Sequence, residues 1–174
     1  MQKYYAGIAV EKLLYHADGK LLTGEDVLRQ GLVGHNQIYI KYANGLQVWS
    51  NANGKESWQI NANGKDILLP AYGYYAVLPG VIEVGSVMEN GRRVDFSLGG
   101  DHIYGNGNGA LRNWGLFEAE NAYAAIRENN AVELIVVPFK KAEKVTVDLD
   151  QPYFRRTQQL ISACRRKTGH RLEC

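Results

Sequence analysis

Six Asn-Gly dipeptides punctuate the middle of this 174-residue chain, at 44–45, 53–54, 63–64, 90–91, 106–107 and 108–109. A two-residue type I′ hairpin turn needs positive φ at both central positions, and Asn followed by Gly tolerates that best. Between these signals the apolar residues alternate with polar ones. Gln37 to Tyr42 places Ile38, Ile40 and Tyr42 on one side, and Leu46 to Ser50 alternates again after Asn44-Gly45. Further short strands are expected at Ser57 to Asn61, Ile67 to Leu69, Tyr74 to Leu78, Ile82 to Met88 and Arg92 to Leu98. Turn signals roughly every 8 to 12 residues between such strands describe a mainly β protein, an antiparallel β-sandwich. The pentapeptide Asn-Ala-Asn-Gly-Lys occurs twice, at 51–55 and 61–65, but the stretches that follow differ, so it is no solenoid repeat. It reads as two tight turns bracketing one strand, on which Trp58 shares the face of Ile60 and points to the core.

The flanks read differently. Tyr4, Tyr5, Ile8, Ala9 and Leu13 fall near one helical face, which predicts a helix over residues 1 to 15. The alternative is a strand from Lys12 to His16, paired across Asp18-Gly19 with Lys20 to Leu22. Thr23-Gly24-Glu25-Asp26 forms a capping box ahead of a short helix near Glu25 to Gln30. Glu118 to Asn129 has helical composition, Ala131 to Phe139 is an apolar strand, Lys144 to Leu149 another, and Tyr153 to Arg166 a terminal helix. The expected organisation is an N-terminal helical or hairpin segment (1–30), a β-sandwich (31–150) with short peripheral helices at the N-terminus and in the C-terminal third, and a tail (151–174).

That tail is set apart by charge. Residues 151–174 hold six Lys/Arg against Glu173 alone, whereas residues 1–150 carry a net charge of −3. Such a tail is able to bind nucleic acid, but a solvated terminal helix is the plainer expectation. Cys164 and Cys174 also lie there, and two cysteines with one nearby His fall short of a zinc ligand set. Glu11 and Lys12 interrupt the opening apolar pattern, so no secretory leader is expected. No run approaches the roughly 18 apolar residues of a membrane span.

Candidate chemistry is sparse. Asp101 and His102 adjoin a Gly-rich loop and, with an acid such as Glu118, outline a small hydrolase. Against this, neighbours in such a loop are commonly turn formers. The acids Glu118, Glu120 and Glu133 show no pairing that sequence establishes, and Glu118 and Glu120 would diverge on a helix. The stretch Gly99 to Gly109 lacks the Gly-Lys-Ser/Thr ending of a phosphate loop. His16, His35, His102 and His170 have no metal-ligand spacing, and no serine lies in a Gly-x-Ser-x-Gly context. No cofactor, no metal and no assigned catalytic residue follow. Trp49, Trp58, Trp114, Tyr72 and Tyr74 are candidate sugar-stacking residues, weighed against the core roles that large aromatics usually take.

Three segments together resemble a known family. Tyr42-Ala43-Asn44-Gly45-Leu46-Gln47-Val48-Trp49-Ser50-Asn51 is followed by Trp58-Gln59-Ile60, then by Ile67-Leu68-Leu69-Pro70-Ala71-Tyr72-Gly73-Tyr74-Tyr75-Ala76. In that order they resemble the C-terminal β-sandwich accessory domains of bacterial glycoside hydrolases, over about residues 36 to 97. Ala71 stands where the pattern has a second Pro. The resemblance implies a non-catalytic accessory module packed on an upstream catalytic domain or another protein surface, with residues 1 to 15 as the last helix of that domain. Weak carbohydrate contact is implied second, in a bacterial and extracellular or periplasmic parent. It transfers no catalytic residue, and nothing in the tail matches it.

Overall fold

Asp18 and Gly19 both take positive φ, 49° and 72°, and reverse the chain between β1 (Val10–Ala17) and β2 (Lys20–Leu22). The expected helix over residues 1 to 15 is therefore a correction: only Gln2–Tyr4 form a 3-10 turn, and the hairpin alternative holds, with Tyr15 opposite Leu22. Leu13, Leu14 and Tyr15 make both sides of β1 apolar, which hides a period of two. The computed structural model of the chain describes residues 1–115, 117–128, 132–138, 145–148, 165–167 and 171–173.

Two compact units divide the chain, Met1–Arg93 and Val94–Cys174. In the first, Thr23 caps α1 (Gly24–Arg29) as expected. Its hydroxyl oxygen accepts from Asp26 N–H at 3.2 Å and lies 2.7 Å from the Asp26 carboxylate. Then follow β3 (Gln37–Tyr42), β4 (Gln47–Asn51), β5 (Trp58–Ala62), β6 (Lys65–Leu69), β7 (Tyr74–Leu78) and β8 (Ile82–Glu89). The order across this unit's sheet is β8-β7-β4-β3-β1-β2, and every pairing is antiparallel. Residues 1–30 do not stand apart, because β1 is hydrogen-bonded along β3, with Leu13 opposite Ile40.

The hairpin β5–β6 turns at Asn63-Gly64 (φ 54° and 83°). Its β5 alternates strictly, with Trp58, Ile60 and Ala62 buried and Gln59 and Asn61 exposed. Leu68 pairs with Met88 of β8, and the Trp58 ring stacks on His16 of β1 at 5.1 Å, so the hairpin packs against the sheet's own residues. Burying one large side chain such as Trp58 contributes about 2–3 kcal/mol. On the sheet, Tyr39, Trp49 and Tyr75 are direct cross-strand neighbours, with ring centroids 5.0 and 5.9 Å apart.

The Asn-Gly pairs do not all build the same turn. Asn90-Gly91 has both φ positive (50° and 76°), as a type I′ turn requires, but at 44–45 only Gly45 does (89°). There Gly45 N–H donates to Tyr42 O and Tyr42 N–H to Leu46 O, a three-residue loop ending in a left-handed glycine. Neither Asn53 nor Gly54 has positive φ; the Asn53 side-chain oxygen instead accepts from Lys55 and Glu56 N–H at 2.9 and 3.1 Å.

The unit boundary falls inside β9 (Arg92–Gly99). The second unit continues with β10 (His102–Asn106), β11 (Arg112–Asn113), β12 (Phe117–Ala119), β13 (Asn121–Glu128), β14 (Val132–Pro138), β15 (Val145–Asp148), β16 (Arg165–Lys167) and β17 (Arg171–Glu173). β9-β10-β13-β14 are consecutive in one sheet, and β11-β12-β15-β17-β16 form another, antiparallel throughout. The expected helix at Glu118 to Asn129 is a second correction. β13 is paired on both edges, Tyr123 with Tyr104 and with Val137, and these long-range bonds override the helical preference of its Ala and Glu. Trp114 lies over Gly105, where a Cβ would meet its indole at 2.5 Å, and its Nε1 donates to Ala119 O at 2.9 Å. The terminal helix at 153–166 and both cysteines fall outside the described residues, except that Arg165 and Arg166 are strand.

Candidate functional site

The aromatic candidates separate by exposure. Trp49, Trp58 and Trp114 are core side chains, 5%, 4% and 3% exposed, and present no face to a sugar. Tyr72 and Tyr74 remain open at 68% and 41%. Tyr72 holds φ of +56°, an outlier for a bulky residue. It is pinned by its own N–H to Asn53 O and by Arg93, whose guanidinium donates to Tyr72 O at 3.3 Å, Ala71 O at 3.4 Å and Ser86 Oγ at 2.8 Å. Its phenol sits against Gly54, where any Cβ would collide. The first Asn-Ala-Asn-Gly-Lys copy thus supplies a bare backbone for an exposed ring to rest on.

Behind that surface runs a polar chain. Asn51 is wholly buried; its Nδ2 donates to Glu56 O and Pro70 O at 2.8 Å, and its Oδ1 accepts from Gln37 Nε2 at 3.2 Å. Gln37 Oε1 is then left facing His16 Nδ1 at 2.6 Å. An amide oxygen only accepts, so His16 carries its proton on Nδ1. His16 also lines a cleft of about 250 Å3 with Tyr15, Val27, Leu28, Val33 and His35. That volume is at the small end for a ligand site, and its outer wall is apolar, with Leu28 72% and Val33 64% exposed.

In the second unit the structure joins Asp101 to His102 and brings them to a residue that no local motif marks. His102 Nδ1 lies 2.7 Å from Asp101 Oδ1, and His102 Nε2 lies 2.7 Å from Ser97 Oγ. Glu118 sits on β12, in the other sheet of that unit, so the third member is Ser97 in its place. The signal for it was hairpin parity: with Leu98 opposite Ile103, Ser97 and His102 project from the same face.

Among the described residues, no group of three His, Cys, Asp or Glu is placed to hold a metal ion, and no helix is long and apolar enough to cross a membrane. Comparisons with protein-family models, with curated proteins and with solved structures return no match for this chain.

Proposed function

We propose that this chain is a β-sandwich accessory module of a carbohydrate-active enzyme, non-catalytic for glycosidic chemistry, which docks on a catalytic domain. One observation carries the reading beyond the resemblance at residues 36–97. Among the described residues, twelve large hydrophobic side chains remain exposed, and seven of these lie in the first 33 residues: Met1, Tyr5, Val10, Leu13, Leu21, Leu28 and Val33. Concentrated exposed apolar surface marks an interaction site more often than a solvated face. Four of them, Met1, Tyr5, Val10 and Leu13, fall within residues 1 to 15, the stretch that the resemblance ties to the upstream catalytic domain. Carbohydrate contact is the secondary role, and it rests on Tyr72 and Tyr74 alone.

Hydrogen exchange tests the docking. Segments 10–33 are compared in this chain and in the polypeptide that the intact gene encodes. Slower exchange in the longer polypeptide is expected. Equal exchange, or a gene product no longer than this chain, overturns the reading. Glycan-array binding that is lost in Tyr72→Ala supports the secondary role, and an array without any signal removes it.

A further inference from the structure

We propose that Ser97 is an activated nucleophile and that the β9–β10 hairpin cleaves activated carboxylic esters through Ser97, His102 and Asp101. The inference is independent of the docking role. It starts from which atoms are able to donate. An ionised carboxylate only accepts, so the 2.7 Å contact with Asp101 requires the proton on His102 Nδ1. Nε2 then carries the lone pair, and the Ser97 hydroxyl, 2.7 Å away, donates to it. This is the tautomer and the order of contacts by which a serine hydroxyl is activated.

The hairpin is built to hold that chain. A Cβ on Gly99 would come within 2.9 Å of His102 Cε1 and 3.1 Å of Nδ1, so the imidazole occupies space that any other residue would fill. At Gly100 a Cβ would meet nothing within 4 Å, which leaves the approach beside Asp101 and His102 open. His102 is a partly covered side chain at 23% exposure, while Asp101 is 60% exposed. Ser97 stands opposite Tyr104, and Tyr104 opposite Tyr123, so two phenol side chains continue the row that leads away from the hydroxyl. Such a row suits a flat aryl group.

The step balances without any further reactant except water. Ser97 Oγ adds to the ester carbonyl carbon as its proton passes to His102 Nε2, and Asp101 stabilises the imidazolium. The tetrahedral adduct then expels the alcohol, which takes the proton from Nε2 and leaves an acyl ester on Ser97. Water attacks that ester with Nε2 as base, releasing the acid and restoring the hydroxyl. An open sheet face gives little stabilisation to the oxyanion. The substrate class is therefore esters with a good leaving group, aryl esters of short acids.

The test uses p-nitrophenyl acetate and a fluorophosphonate probe on the full chain. Expected is an acetyl or phosphonyl adduct on Ser97 that forms in native protein and does not form in protein unfolded before labelling. Hydrolysis should fall at least tenfold in Ser97→Ala, His102→Gln and Asp101→Asn. Thermal melts of the variants separate lost chemistry from lost folding. Adducts only on other residues, or hydrolysis unchanged in a folded Ser97→Ala, overturn the proposal. Labelling of the unmutated chain decides the matter even where a variant fails to fold.

Discussion

Asn51 and Asn61 open identical pentapeptides, yet Asn51 is fully buried and Asn61 points to solvent. Asn51 holds the carbonyls of Glu56 and Pro70 and receives Gln37, whereas Asn61 binds Asp66 at 2.7 Å and Gly64 N–H at 3.0 Å in water. Removing a buried partner leaves its groups desolvated and unsatisfied. Asn51→Ala is expected to cost about 2–4 kcal/mol and Asn61→Ala about 0.5 kcal/mol. Urea unfolding followed by tryptophan fluorescence measures both, and equal losses would show that the buried chain contributes nothing special.

Two glycines next to Tyr72 should respond to very different degrees. At Gly73 a Cβ meets Pro70 Cδ at 2.5 Å and Ser86 O at 2.7 Å, neither of which yields easily. At Gly54 the obstacle is the end of an exposed tyrosine, which swings aside. Gly73→Ala should lower stability by about 2–3 kcal/mol. Gly54→Ala should cost less than about 1 kcal/mol while releasing the Tyr72 ring. Thermal melts check the first, and increased solvent quenching of Tyr72 the second.

In the second unit, Gly105→Ala should displace Trp114. The indole lies where the methyl would go, and its Nε1 bond to Ala119 O fixes its position. A loss of about 2–3 kcal/mol is expected, together with a weaker near-UV circular dichroism signal from Trp114. An unchanged spectrum would mean that the ring is not held there.

Alkali should act through Tyr75. Burial first, then the Glu83 charge and a hydrogen bond to Glu83, raise its phenol well above the ordinary tyrosine range. Below about pH 10 the folded and unfolded chains both keep this proton. Above it the unfolded chain loses the proton while the folded chain holds it, so the native state binds more protons and stability falls as pH rises. The slope approaches about 1.4 kcal/mol per pH unit for one group and ends only as pH passes the raised folded value. Tyr75→Phe should remove that share. Tyr39, raised chiefly by burial, leaves a residual slope. Denaturant titrations at successive alkaline pH values measure the difference.

The strands from Gln37 to Leu98 were legible because period and punctuation agreed: β7 spans the expected Tyr74 to Leu78, and Trp58 faces inward with Ile60. Two segments were not, for different reasons. β1 is apolar on both sides, so its period is hidden, while β13 owes its conformation to partners on β10 and β14 that lie far along the chain. The doubled pentapeptide shows the same limit at short range. Its second copy is a two-residue turn and its first is not, because Asn51 is committed to the interior and Asn61 is free to face the turn. Ser97 lies in no local nucleophile motif, because its partner is across a hairpin and only the register joins them.

The asparagine–glycine pairs that reverse the chain also set how the molecule ages. In this dipeptide the next backbone nitrogen readily attacks the asparagine side-chain carbon, closing a succinimide that reopens to aspartate or isoaspartate. Asn44 is restrained against this, since its Nδ2 binds Tyr4 O and its Oδ1 binds Leu46 N–H. Asn53 is held by Lys55 and Glu56 N–H, and Asn63 by Gln47 at 3.2 Å. Asn90 sits at an exposed tip between β8 and β9. It is therefore a position where stored protein should gain negative charge, and an isoaspartate there would add a methylene to a two-residue turn that has no slack.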